Sequence, residues 1–397
     1  MTGLDYLTNS KQEPMYIVYI YPEITIKGGA DRVIVEKANY LAAHGYRVSI
    51  VTESQLGREP SFPLHPSVRL IDIGLDFNRQ YHERSWKRMF LYFSLMAQYK
   101  RQLRKVLLAE RPDVVISAMG RSIGIVNDMD DGSVKIGEVH SVKANVRSLN
   151  QLERKGFLFR LVAWFMRRRI GRMVSRLSAL VLLSQKDADD WTEARRTVVI
   201  PNSVPFVPPT VSRLENKQAI MVARYNDAKG YNYMVEAWSK VHQRHPDWVL
   251  NVYGSGELHD DVIRWIDEHG LTDTMILHEP TDQIMERYLE SSMCVMSSRY
   301  EAFPMVLLEA MVCGVPSVAF DCPHGPRQII RHGEDGLLVE YLNPQALADG
   351  ICRLIEDEAF RRQLGAKARE NVMRFSQPSV MQQWEALFHQ LVEERRP

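Results

Sequence analysis

The stretch from Ser297 to Pro326, SSRYEAFPMVLLEAMVCGVPSVAFDCPHGP, holds two glutamates, Glu301 and Glu309, with seven residues between them. Glu301 is read in a loop at the carboxyl end of a strand, where open α/β sheets hold their ligands. Pro304 has no backbone N–H and opens a helix at a position that wastes no donor. The free N–H groups of the first turn and the helix dipole make the Phe303 to Val306 region, with Pro304 and Met305 inside it, a seat for a diphosphate. Glu309 follows Pro304 by five residues, about 7 to 8 Å along the axis at 1.5 Å per residue. One carboxylate can then address a sugar on one side of the phosphates while the other reaches ribose hydroxyls on the far side.

Such a site needs a parallel sheet to carry it, and the chain supplies the pattern of one. An apolar run, Met15 to Tyr21, leads to a Gly28-Gly29 turn, a helical pattern from about Ala30 to His44, and a second strand over Tyr46 to Thr52. This β-turn-α-β order begins a doubly wound sheet, continued by apolar runs at Val114 to Ser117, Lys135 to Val139 and Ala179 to Ser184. Prolines 205, 208 and 209 keep Asn202 to Thr210 out of helix and central strand, so this segment reads as a linker. Beyond it the alternation restarts, with strands at Gln218 to Ala223, Trp248 to Tyr253, Met275 to His278, Cys294 to Ser297, Pro316 to Phe320 and Gly336 to Val339. The expected division is 1–203 and 204–375, with a last helix, 376–397, packing back on the first domain.

Bulk composition excludes several classes. The chain has 397 residues, enough for two domains, with 45% hydrophobic and 25% charged residues, as in folded globular proteins. Fifty Lys and Arg against 49 Asp and Glu give a net charge of +1, which removes the electrostatic case for nucleic acid. The four cysteines, Cys294, Cys313, Cys322 and Cys352, lack paired C-x-x-C spacing, so neither a disulfide framework nor a zinc site is indicated and a reducing cytoplasm fits. The polar opening MTGLDYLTNSKQEP argues against a secretory signal, and no apolar stretch nears the roughly 20 residues needed to span a bilayer.

With Glu301 and Glu309 flanked by F-P, L-L-E-A-M and C-G-V-P, nearly the whole chain resembles the retaining glycosyltransferases of family four, glycosyl transferases group 1. The resemblance implies the GT-B architecture, an α/β fold of two Rossmann-like doubly wound domains facing each other across a cleft. It implies that Glu301 contacts donor-sugar hydroxyls and Glu309 the ribose. VARYNDAKGY, residues 222–231, is similar to the family's strand that ends in Arg with a Lys soon after, which gives Arg224 and Lys229 the diphosphate. Fixed cations of this kind stabilise the charge that a leaving nucleoside diphosphate develops.

Three weaker matches complete the set. YGSGEL, residues 253–258, resembles the family's G-x-G-x-E turn, with Gly254 and Gly256 permitting tight backbone beside the nucleotide; His259 stands where a dinucleotide fingerprint would need its third glycine. Gly28 and Gly29 match the glycine-rich loop that faces the donor phosphates. GEVHS, residues 137–141, resembles the family's E-H-x-S type segment, which implies a place for His140 near the donor sugar and the reaction centre.

By the same resemblance, the acceptor hydroxyl approaches on the leaving-group side and the departing phosphate oxygen takes its proton, so no side chain is assigned as general base. No D-x-D setting accompanies these motifs, and the acidic runs Asp128 to Asp131 and Asp187 to Asp190 read as solvated turns or helix faces, so no metal is expected. The DCPHGP loop, residues 321–326, resembles the branch that uses UDP-hexoses or UDP-N-acetylhexosamines, favouring UDP over GDP or ADP. From Arg154 to Lys186, nine basic residues precede any acidic one and are interleaved with Phe157, Leu158, Phe159, Trp164, Phe165 and Met166. That mixture suits peripheral contact with an anionic membrane and a lipid-linked saccharide acceptor, or else a packed helix with an arginine-rich outer face. Trp86 to Arg104 is a second aromatic and basic stretch. Rival readings are a nucleotide-sugar epimerase on the same fold and a non-catalytic nucleotide-sugar-binding protein.

Overall fold

A computed structural model describes residues 13–25, 28–118, 120–141, 143 and 156–395. Its strands are β1 Tyr16–Tyr21, β2 Arg47–Thr52, β3 Arg69–Asp72, β4 Val114–Ala118, β5 Val134–Glu138, β6 Ala179–Leu182 and β7 Thr197–Val199. The second series is β8 Gln218–Val222, β9 Val249–Tyr253, β10 Met275–His278, β11 Met293–Met296, β12 Ser317–Phe320 and β13 Gly336–Val339. They form two sheets, in the orders β3-β2-β1-β4-β5-β6-β7 and β10-β9-β8-β11-β12-β13. The pairings are parallel, with Ile17 opposite Val48 and Val114 in one sheet and Ala219 opposite Leu250 and Met293 in the other. Strands of such sheets are covered on both faces and so read as unbroken apolar runs, as β1 (YIVYIY), β6 (ALVL) and β11 (MCVM) do.

The strand order reverses once in each sheet, at β1/β4 and at β8/β11, and a doubly wound sheet opens its ligand crevice beyond the carboxyl ends of those strands. β8 leads into Arg224 to Lys229, and β11 leads into Glu301. The sequence-level α/β reading, two Rossmann-like doubly wound halves, is what the chain adopts.

Contacts cluster into two compact units. The first is Met1–Glu138 with Arg176–Ser178 and Leu387–Pro397, and the second is Val139–Ser175 with Ala179–Ala386. In the first, Tyr16, Val18 and Ile20 pack with Leu95, Tyr99, Leu103 and Leu107. The last four lie at four-residue intervals on the helix Ser85–Glu110, which the sequence reading left unassigned along with β3 and β7. The final helix, Gln377–Arg395, ends within the first unit, where His389 meets Tyr46 at 3.3 Å and Arg395 donates to the Gly132 carbonyl. In the second unit, Met234, Val235, Trp238 and Val241 on the helix Tyr231–Arg244 pack with Leu347, Ile351 and Leu354 on the helix Pro344–Glu356. The segment Asn202 to Thr210 has neither helix nor strand, as its prolines require.

Candidate functional site

Within the second unit the loops after β8 and β11 meet. The β8 loop makes a short turn, Asp227–Lys229, that ends on Gly230 at φ 62°, a left-handed conformation that glycine adopts without strain. A Cβ on Gly230 would stand 2.3 Å from the Ser297 carbonyl oxygen, so glycine also permits the close approach. The Ser297 hydroxyl donates to the Lys229 carbonyl at 2.9 Å. Held in this way, Lys229 Nζ donates to Glu301 Oε1 at 2.5 Å, and the Ser298 hydroxyl donates to the same oxygen at 2.7 Å. The lysine and glutamate side chains keep 24% and 13% of their exposure, so the pair borders solvent.

Arg224, in the same loop, is exposed and pairs with no carboxylate among the described residues. Its backbone is fixed from the side. Tyr225 N–H donates to the Ser255 carbonyl at 3.0 Å, and Leu258 N–H to the Tyr225 carbonyl at 3.0 Å. A Cβ on Gly254 would lie 1.9 Å from the Ala223 oxygen, and one on Gly256, at φ 155°, 2.4 Å from the Tyr225 oxygen. Both glycines are thus required by the packing of the β9 loop against the loop that carries Arg224. A cavity of about 370 Å³ beside these loops is lined by Asn226, Asp227, Tyr231, Trp265 and Arg299, and none of the expected site residues lines it.

The helix that follows Glu301 is Met305–Val312, so Pro304 stands one position earlier than expected, as its extended N-cap at φ −71° and ψ 103°. Phe303 and Pro304 are buried, and Met305 and Val306 are half-buried. Glu309, also half-buried, accepts from the Tyr288 hydroxyl at 3.1 Å. Tyr288 is fully buried in the helix Ile284–Glu290, so it anchors Glu309 from the core side. Cys322, on the next loop, has its thiol pushed up to about 12 by burial and then by Glu301 nearby, which makes it a poor nucleophile.

The structure therefore brings Lys229 and Glu301 into contact, carries Arg224 in the loop that holds Lys229, and places Glu309 on the helix that follows Glu301. Ser297, Ser298 and Tyr288 were missed by the sequence reading; the serine pair just before the Glu301 loop was the available signal. Gly28 is an extended N-cap at φ −127° and ψ 160°, and its carbonyl accepts from Arg32 N–H at 3.1 Å, so no left-handed turn demands glycine there. Gly29 begins that helix, and both glycines belong to the first unit. His140 follows β5 by two residues and is half-buried.

The expectation for Asp187 needs correcting. It lies on a short helix, Gln185–Asp190, but it is buried rather than solvated, with 3% exposure. The helix has turned the carboxylate inward, where the Ser184 hydroxyl contacts it at 2.9 Å and burial pushes it up from its usual range. Along the helix Phe157–Val174, Ala163, Ile170 and Val174 are buried while Leu161, Val162, Trp164 and Phe165 are exposed beside Arg160 and Arg167 to Arg169. Arg154 and Lys155 lie outside the described residues, as do the side chains of Phe157 and Leu158. No helix among the described residues is long and apolar enough to cross a membrane.

Comparison with known proteins bears on the family and the fold. An exopolysaccharide phosphotransferase of Streptomyces coelicolor is 38% identical over 226 residues, 55% of this chain, and the chain spans 24% of that relative's length. The amylovoran biosynthesis glycosyltransferase AmsD of Erwinia amylovora is 25% identical over 374 residues, covering 91% of this chain and 96% of the relative. Among solved structures, a mutant of Staphylococcus aureus TarM in complex with Fondaparinux, alpha-GlcNAc-glycerol and UDP superposes with a TM-score of 0.76 at 16% identity. The match covers 94% of this chain and 99% of TarM, a likeness of fold. The model of the family described as Glycosyltransferase Family 4 matches residues 27–206, and that of Glycosyl transferases group 1 matches residues 207–371. Matched along both halves in this way, the chain belongs to the family 4, group 1 glycosyltransferases.

Proposed function

We propose that this chain is a retaining, metal-independent glycosyltransferase that moves a hexose or N-acetylhexosamine from a UDP-sugar to a hydroxyl of a saccharide acceptor. The observation that carries the reading is the solvent-bordering contact of Lys229 with Glu301 at 2.5 Å, with exposed Arg224 in the same loop as Lys229 and the helix Met305–Val312 following Glu301. In this reading the leaving diphosphate lies on the free N–H groups at the helix start, with Arg224 and Lys229 taking up the charge it gains as the bond to the sugar breaks. Glu301 binds sugar hydroxyls and Glu309 the ribose. The acceptor oxygen bonds to the anomeric carbon on the face the phosphate leaves, and its proton passes to the departing phosphate oxygen. On this reading His140 serves the reacting sugar and Gly254 the nucleotide.

TarM was solved with UDP, and AmsD is named for the biosynthesis of a polysaccharide, which supports a UDP-sugar donor and a role in surface glycan assembly. The exposed mixture of Trp164, Phe165 and arginines on the helix Phe157–Val174 supports peripheral contact with an anionic membrane and a lipid-linked acceptor on its cytoplasmic face. The change of sheet between Val199 and Gln218 supports domain limits at 1–203 and 204–375.

Incubation with UDP-, GDP- and ADP-sugars, with and without membrane-extracted acceptors, tests the reading through nucleoside diphosphate release. Release from a UDP-sugar that both Glu301→Ala and Arg224→Ala abolish is the expected result, and product anomers report retention. Turnover that survives both substitutions overturns the site, and flotation without lipid binding removes the membrane contact.

A further inference from the structure

The DCPHGP loop, residues 321–326, holds a residue whose backbone is costly and whose side chain is engaged. His324 adopts φ 77°, in the left-handed region where a non-glycine residue costs on the order of 1 kcal/mol. Its backbone forms a parallel bridge with Glu301, and the next N–H, of Gly325, donates to the Glu301 carbonyl at 3.0 Å. The approach is tight, since a Cβ on Gly325 would stand 2.5 Å from Pro304 Cδ and 3.1 Å from Glu301 Cβ.

The imidazole is gripped by the short helix Gln185–Asp190. Asp187 Oδ1 lies 3.0 Å from His324 Nδ1, with 4% and 12% of the two side chains exposed. The pair sits at ion-pair distance but off the line of a hydrogen bond. Ser184 occupies the other Asp187 oxygen at 2.9 Å, and Asp187 N–H donates back to Ser184 Oγ at 3.1 Å, so the carboxylate is itself held in place. Asp190 Oδ2 stands 4.0 Å from His324 Nε2. Asp187 stands by Nδ1 and Asp190 by Nε2, so the two aspartates flank the ring and clamp it.

We propose that His324 is a positioning residue of the transfer site: gripped by Asp187, it fixes the 321–326 loop and through it the backbone of Glu301. This rests on Glu301 serving as the donor-sugar carboxylate. A buried carboxylate needs a polar partner, and His324 supplies one from a loop that would otherwise relax out of its left-handed conformation.

The test uses the full chain with Asp187→Ala, His324→Gly and His324→Asn. Asparagine tolerates positive φ and can place an N–H donor near the site of Nδ1, so it is the conservative rescue. Amide exchange at Gly325 is expected to speed up in Asp187→Ala, whose change is remote from the loop in sequence, and to stay close to wild type in His324→Asn. With a UDP-sugar that the wild type turns over, kcat is expected to fall about tenfold or more in Asp187→Ala and His324→Gly, since small misplacements of a reacting group are costly. Affinity for free UDP stays unchanged, and the double variant is no worse than either single one. Unchanged Gly325 exchange in Asp187→Ala overturns the proposal, as does wild-type kcat in His324→Gly alongside an active Asp187→Ala. Faster exchange in a protein that turns over no donor supports the clamp and sinks the donor-site reading instead.

Discussion

Two lysine–glutamate contacts, one in each unit, differ in how far water reaches them. Lys37 and Glu138 in the first unit keep 5% and 2% of their side-chain exposure, whereas Lys229 and Glu301 in the second keep 24% and 13%. Lys37 lies on the helix Gly29–Ala43 and Glu138 at the end of β5, with the Tyr19 ring centroid 5.6 Å from Nζ. Burial holds Lys37 below the usual lysine range, and Glu138 offsets part of that. With so little of either side chain open to water, the sealed pair is expected to act on stability. The open pair is formed by loops beyond the ends of β8 and β11, and solvent exposure there leaves room for a substrate to compete for both groups. On the proposed reading, the same two residue types serve structure in one place and binding in the other.

The contrast can be broken most severely at the sealed pair. Lys37→Met leaves Glu138 buried without its cation and is expected to cost about 3 to 5 kcal/mol in urea unfolding, while Lys37→Met with Glu138→Leu recovers most of that loss. A Lys37→Met protein of wild-type stability would show that the pair is not sealed. At the open pair, Lys229→Ala is expected to lower kcat for nucleoside diphosphate release by about 10² to 10³-fold, as for removal of one charge-stabilising donor. Its unfolding midpoint should stay near wild type, and a large loss of stability instead would make Lys229 a structural residue.

A smaller effect sharpens the role of the β9 loop. Gly254→Ala would place a Cβ 1.9 Å from the Ala223 oxygen, and the overpacking is expected to cost about 1 to 3 kcal/mol. Donor KM should rise as well, because the displaced strand end carries Arg224; a KM that does not move would confine Gly254 to packing.

The smallest effect concerns Glu53 in the first unit, buried with 2% exposure and paired to Arg121 at 2.9 Å. Burial raises its carboxyl above the ordinary 4.5 despite Arg121, so the folded chain holds this proton to higher pH than the unfolded chain does. Its contribution to stability then falls as pH rises from 4.5 through the raised value and levels off above it. Glu53→Gln should flatten that part of the stability profile, and an unchanged slope would show that another group sets it.

Periodicity carried the sheet legibly: β10 and β13 run over the residues expected, and β1, β2 and β11 begin one residue from the expected starts. What it hid was the helix Ser85–Glu110, whose buried stripe of Leu95, Tyr99, Leu103 and Leu107 is diluted by exposed Trp86, Phe90 and Phe93. β3 and β7 were too short, at four and three residues, to stand out. In the candidate site, Glu301 and Glu309 were visible at a strand end and on a helix start, and Arg224 and Lys229 through the resemblance of residues 222–231 to the family's strand that ends in Arg with a Lys soon after. Tyr288 and Ser297 were not, since their value lies in contacts with residues 21 and 68 positions away.

The order of strands and helices and the place of the linker follow from the sequence alone, since hydrophobic period, proline and glycine act through the local chain. Which lysine is sealed and which is open, that Asp187 turns inward to His324, and that Gly254 is required by a neighbouring backbone were decided only by tertiary structure. Burial and long-range contact set those outcomes, and neither is written in the local spacing of residues.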